Sequence, residues 1–150
     1  MDFLNKIYNE DCIETMKRIP DGSIDLMITD PPYNITACDW DKPIDFTQLW
    51  EQWNRIIKPN GAMIFTASQP FTSELVMSNK KNFKCEWIWC KSHHSNFLLA
   101  DKQPLKIHES IIIFYRQQPT YNPIMEKGEA NHGSKRLEAK SKKGQTWTWN

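Results

Sequence analysis

Long apolar runs are missing from these 150 residues: none approaches the roughly 18–20 apolar residues of a membrane-spanning helix. The opening residues, Met1-Asp2-Phe3-Leu4-Asn5-Lys6, lack a charged leader followed by an apolar stretch. No signal peptide and a cytoplasmic location are therefore expected. An excess of one charge is missing too: 19 Lys and Arg stand against 18 Asp and Glu, a formal net charge of +1. Nucleic-acid binding would have to use a local basic face, and overall charge neither supports nor excludes DNA. Cysteine is confined to Cys12, Cys38, Cys85 and Cys90. Cys85 and Cys90 read as belonging to one strand and point to opposite faces, which argues against zinc even with His93 and His94 nearby. Reduced thiols and no metal are the expectation. Glycine is scarce, with 5 in all, and none sits in a glycine-rich turn between a strand and a helix.

What is present suits one globular domain with a real core, since a chain of this length buries about 68–70% of its unfolded surface. Hydrophobic residues make up 39% and charged residues 25%, ordinary globular values. Aromatic content is high at 12%, with 7 Trp, so some rings are expected to face a partner or ligand.

Leu4 to Asn9 reads as a first strand. Asp11 precedes Glu14 at the spacing of a capping box, and Ile13, Met16 and Ile19 give the following helix its apolar side. Pro20-Asp21-Gly22 stops it. Ile24 to Asp30 is apolar on both parities, as in a strand covered on both faces. Phe46 to Ile57 has helical spacing, ended by Lys58-Pro59-Asn60-Gly61, and Ala62 to Ala67 is another buried strand. Ser68 is placed to cap a helix over Phe71 to Ser78. Cys85 to Cys90 and Ser110 to Tyr115 complete about five strands, joined by a polar loop from Lys91 to His108. Such alternation predicts an α/β sheet with helices on both faces.

From Gln117 the character changes. Residues 126–150 hold almost no core-forming side chains, and Lys127, Lys135, Arg136, Lys140, Lys142 and Lys143 outnumber the acids. A domain boundary is drawn between 118 and 119. Residues 119–150 read either as a flexible basic tail or as a DNA-contacting arm that begins a recognition region. Trp147 and Trp149 are candidates to dock elsewhere.

Asp30-Pro31-Pro32-Tyr33 falls where a buried strand ends, and in open α/β sheets the carboxyl ends of strands form the ligand crevice. An exocyclic amine such as adenine N6 is a poor nucleophile, because its lone pair is delocalised into the ring. The Asp30 carboxylate and the Pro31 carbonyl can each accept one N–H of such an amine and localise that lone pair. Consecutive prolines restrict the backbone and hold the carbonyl in place. Tyr33 offers a flat face for an extruded base, worth about 1–3 kcal/mol. The bland alternative is a strand exit followed by a rigid turn.

Several further blocks surround this site. They are Trp40-Asp41, Arg55 to Gly61, Ser68 to Ser73, Trp87 to Lys91, Pro104 to Glu109 and Tyr121-Asn122-Pro123. With Ile24 to Tyr33, they resemble the phage and restriction-system adenine-N6 DNA methyltransferases from about residue 5 to residue 125. The resemblance implies an incomplete Rossmann-like methyltransferase fold, S-adenosylmethionine as methyl donor, double-stranded DNA as partner, and flipping of the target base. Asp30 in first place favours adenine over cytosine N4, where relatives usually carry Ser, or a glutamine amide, where Asn would stand. Family correspondence places Asp11 near the cofactor's adenine, beside its reading as a helix cap, and Asp30 at the cofactor as well as the base. Lys91, Asn96 and Phe97 fall in the loop expected to border the flipped base. Phe97 reads equally as a second stacking ring or a core anchor. His108-Glu109 reads as a solvated strand entrance.

Against the family pattern, the Phe-x-Gly-x-Gly turn and the His-Pro-Thr-Gln-Lys-Pro-like block are absent. In members with this order of blocks they follow the recognition region. The first strand would then lie two strands away from that of Asp30, so either it slides inward or another copy or chain fills the gap. Self-association or a partner chain is expected. A non-catalytic remnant or accessory subunit, or transfer to cytosine, RNA or glutamine, stands as the alternative.

Overall fold

Alternation of strand and helix governs the chain from Asp11 onward. The computed structural model describes residues 4–125, and the expectations for the basic tail, Trp147 and Trp149 lie outside them. The chain divides into two units, 1–120 and 121–150, and everything below concerns the first. Helix α1 (Cys12–Arg18) begins where Asp11 accepts a hydrogen bond from the Ile13 N–H at 2.8 Å. Only half of the expected capping box forms, because the Glu14 carboxylate accepts from Lys17 Nζ at 2.6 Å instead. Gly22 takes φ +55° in the turn that follows.

Strand β1 (Ile24–Thr29) leads through α2 (Phe46–Ile56) to β2 (Ile57–Ala67), parallel to it. A crossover of that length suits a parallel pair. Then come α3 (Phe71–Ser78), β3 (Phe83–Ser95) and β4 (Lys106–Tyr115). The sheet order is β1-β2-β4-β3, so β4 inserts antiparallel between β2 and β3.

The helical period of α2 turns Trp50, Trp53 and Ile56 into the core. There Trp50 meets Phe114 at 5.0 Å and Trp53 meets Phe65 at 4.9 Å between ring centroids, both edge-on. Met63 and Phe65 from β2, Ile112 and Phe114 from β4, and Phe71 and Leu75 from α3 close the same cluster. Trp50 Nε1 donates to Ser78 Oγ at 2.7 Å, which satisfies its buried indole N–H. Arg55 ties α2 to the end of α1, donating to the carbonyls of Met16 and Ile19 at 2.6 and 2.8 Å.

Several expectations need correction. Leu4 to Asn9 forms no strand, and Leu4 and Ile7 are exposed. A strand exists through its partner's hydrogen bonds, and no described strand pairs with the outer edge of β1, so the sheet has four strands rather than about five. Nor are helices found on both faces among the described residues, since α1, α2 and α3 all contribute to one cluster. On the opposite face Leu26 is 50% and Ile28 67% exposed, so β1 is covered on one side only. Ser68 does not cap α3, whose N-cap is Pro70; the Ser68 hydroxyl instead receives Lys106 Nζ. The polar loop from 91 to 108 is shorter than expected, because β3 runs to Ser95 and β4 starts at Lys106.

Candidate active site

The end of β1 is fixed by the pairing of Thr29 with Phe65, so Asp30 is the first residue beyond the ladder. Pro31 and Pro32 cannot donate to a strand and turn the chain out of the sheet. Tyr33 then folds back: its Oη donates towards Asp30 Oδ1 at 2.7 Å and lies 2.9 Å from Thr66 Oγ1. Thr66 Oγ1 also donates to Asp30 Oδ1. The Tyr33 ring stacks on Phe71, the first residue of α3, at 5.2 Å and 24°. Burial pushes the Tyr33 phenol well above its ordinary range. The Thr66 hydrogen bond works the other way, while the hydrogen bond to Asp30 and the negative charges of Asp30 and Glu109 add to the rise. The group therefore stays protonated and able to donate.

The next turn is organised by Asp41. Asn34 adopts φ +55°, which aims successive N–H groups into a concavity. The buried Asp41 carboxylate fills it, accepting from the N–H groups of Asn34 at 2.6 Å, Ile35 at 2.9 Å and Thr36 at 2.7 Å, and from the Thr36 hydroxyl at 2.8 Å. Burial opposes its charge, but the hydrogen bonds from Thr36, Asn34 and Ile35 win and hold the carboxyl below the usual carboxylate range.

A cleft of about 130 Å³ opens here, lined by Asp30, Pro31, Tyr33, Ile35, Thr36 and Trp40. Trp40 is 70% exposed at its rim. Both hydrogen bonds to Asp30 go to Oδ1, and among the described residues neither Asp30 Oδ2 nor the Pro31 carbonyl has a donor. Two free acceptors on adjacent residues, beside flat rings, suit a planar NH2 group. Pro32 lines a second cleft, of about 260 Å³, with Asn34, Phe46, Phe71 and Glu74.

The other predicted residues lie apart from this cleft's lining. Lys91 pairs with Glu109 and stands 5.2 Å over the Trp89 ring. Glu109 is thus part of an ion pair rather than a solvated entrance. Asn96 takes φ 61°, and its side-chain oxygen accepts from the Lys106 N–H at 3.0 Å. Phe97 is 71% exposed, which removes its reading as a core anchor. Asp11 spends one carboxylate oxygen on the α1 cap. Sequence reasoning missed Thr66 and Phe71, which grip Asp30 and Tyr33, and gave Trp40 no role. Thr66 sits one residue before the end of the strand beside β1, a position that alone would have nominated it.

This sheet shares its fold with solved DNA methyltransferases. It matches a structure of the M1.HpyAVI–SAM complex at TM-score 0.59, with 20% identity over 88% of this chain and 71% of that one. The PvuII DNA methyltransferase (cytosine-N4-specific) matches at 0.62, with 16% identity over 84% of this chain and 58% of that one. The chain belongs to the N6/N4 DNA methylase family, whose profile matches residues 24–150. Type II methyltransferase M.BglII from Bacillus subtilis is 41% identical over 68 residues, which is 41% of this chain and 19% of that protein. M.BamHI from Bacillus amyloliquefaciens is 29% identical over 98 residues, 57% of this chain and 23% of that protein. M.HinfI from Haemophilus influenzae is 36% identical over 85 residues, 41% of this chain and 24% of that protein. The matched stretches thus span roughly a fifth to a quarter of these relatives.

Proposed function

We propose that this chain carries the methyl-accepting side of a cytoplasmic DNA amino-methyltransferase that acts on adenine N6 of a flipped base in double-stranded DNA. The observation that carries the reading is the pair of donor-free acceptors, Asp30 Oδ2 and the Pro31 carbonyl, on two residues that line a cleft together with Tyr33 and Trp40. A duplex hides N6 from any buried donor, so the base must leave the stack. Stacking on an aromatic ring repays part of that cost, on the order of 1–3 kcal/mol. Each acceptor then takes one N–H, and the nitrogen lone pair turns towards its electrophile. S-adenosylmethionine, when bound, supplies a methyl group made electrophilic by the sulfonium. Asp30 and Asp11 are the residues proposed to border it. The fit is one-sided: the described residues offer the acceptor wall but no glycine-rich strand-to-helix turn, since Gly22 lies in a turn after α1 and Gly61 lies inside β2. Lys91, Asn96 and Phe97 are proposed to meet the DNA around the base from the β3–β4 connection. The carboxylate of Asp30 favours adenine within a family that includes both N6 and N4 enzymes.

Radiolabelled methyl transfer to duplexes containing A or C as the sole amine target tests this. Transfer to A, and a fall of at least about 10²-fold in Asp30→Ala, is the expected result. Preference for C, or an Asp30→Ala variant as fast as the parent, would refute it. A dissociation constant for S-adenosylmethionine weaker than about millimolar by calorimetry would favour instead an accessory subunit that does not bind cofactor by itself.

A further inference from the structure

Asp30 lies just past the last paired residue of β1, so the sheet does not orient its carboxylate. The groups that do are Tyr33 and Thr66, and they are not equivalent. Tyr33 Oη is 2.7 Å from Asp30 Oδ1 and 2.9 Å from Thr66 Oγ1, while Thr66 Oγ1 donates to the same Asp30 oxygen. A phenol and an alcohol carry one proton each. If the phenol donates to Asp30, Thr66 still finds its acceptor in Asp30. If the phenol donates to Thr66, the Thr66 proton goes to Asp30 again. In these two arrangements the Thr66 proton is on Asp30 Oδ1; in a third, Thr66 donates to the phenol while the phenol donates to Asp30.

The two supports also differ in stiffness. Tyr33 stands on a loop, whereas Thr66 belongs to β2 and pairs with Ile111 of β4, one residue past the last β1–β2 pair. Its β-branched side chain has few rotamers to visit.

We propose that Thr66 is a positioning residue, whose hydroxyl anchors Asp30 Oδ1 to the centre of the sheet so that Oδ2 faces the cleft as a fixed acceptor. The inference rests on the amino-methyltransferase reading of Asp30 and deepens it. With Oδ1 engaged by donors, Oδ2 is the oxygen left to accept from a ligand. It attracts a base edge bearing N–H and repels one bearing a carbonyl oxygen, so the same contact selects an amine-bearing base over a keto base.

Two substitutions separate the hydroxyl from the shape of the side chain. Thr66→Val keeps the volume and removes the donor; Thr66→Ser keeps the donor and loses a methyl. Steady-state methylation of duplex DNA by the full chain is expected to show kcat down on the order of 10²-fold in Thr66→Val, with KM for DNA within about twofold. Thr66→Ser is expected to recover to within about tenfold of the parent. Crystal structures supply a readout that needs no turnover: the Asp30 carboxylate should rotate away in Thr66→Val and stay in Thr66→Ser. An unmoved Asp30 in Thr66→Val, or equal losses in both variants, overturns the role given to Thr66. If Asp30→Ala abolishes transfer while Thr66→Val is as fast as the parent, Thr66 is dismissed and Asp30 keeps its role. If Asp30→Ala is itself fully active, the underlying reading falls.

Discussion

A carboxylate buried beneath three backbone N–H groups does two things for Asp41: it keeps the charge on, and it holds the backbone of residues 34–36 in a conformation with few other supports. Its folded value lies below that of an unfolded carboxylate. Its contribution to stability is therefore full above the unfolded value of about 4 and is lost as pH falls through the lower folded one. Asp41→Asn keeps the shape without the charge. Urea midpoints of parent and variant should differ by a constant amount above about pH 5 and draw together as pH falls below the unfolded value of about 4. A gap that never narrows as pH falls would show that the charge contributes nothing. Asp41 was legible in the sequence only as half of a Trp-Asp pair, because a nest of N–H groups is a property of backbone angles and not of residue types. Asp30 and Tyr33 could be nominated directly, since the chemistry proposed for them is in the side chains themselves.

At the level of elements, Gly61 shows how a strand junction depends on a missing side chain. The β1–β2 register slips between Ile24 and Leu26, and Gly61 lies against the irregularity. A Cβ built there would stand 2.8 Å from the Asp25 carbonyl oxygen and 3.2 Å from that of Ile24. Both neighbours are backbone and cannot swing aside. Gly61→Ala is expected to destabilise the fold by about 1–3 kcal/mol, read as a lower urea midpoint with an unchanged m-value. A midpoint equal to the parent's would mean that β1 and β2 are less tightly joined than described. The helices were the most readable elements, because Asp11 caps as its position suggests and Trp50, Trp53 and Ile56 repeat at helical spacing. The ends of β3 and β4 were not. Ser92, His93 and His94 are exposed on β3 between the Cys90–His108 and Ser95–Lys106 pairs, and polar residues there leave no apolar trace. Leu4 to Asn9 misled for the opposite reason: its residues favour a strand, but tertiary pairing decides, and no described neighbour supplies it.

Over the whole molecule, the outer edge of β1 is unpaired among the described residues, and Leu26 and Ile28 on its bare face are exposed. Exposed apolar edges recruit strands. Self-association of this chain, or capture of a chain that completes the sheet, is accordingly proposed. Light scattering should report a mass above that of one 17.7 kDa chain, and Ile28→Lys should shift it back towards the monomer. A parent that is monomeric at all concentrations would count against the open edge. The class of fold was legible from the order of strands and helices; the bare face was not, because an apolar strand looks the same whether its second cover is present or awaited.

The grip on Asp30 draws on residues between 30 and 71 alone: Thr66 from β2, Phe71 from α3 and Tyr33 from the intervening loop. None of it borrows from the unpaired flank of β1. The wall proposed to receive the amine therefore needs no strand on that flank to take shape.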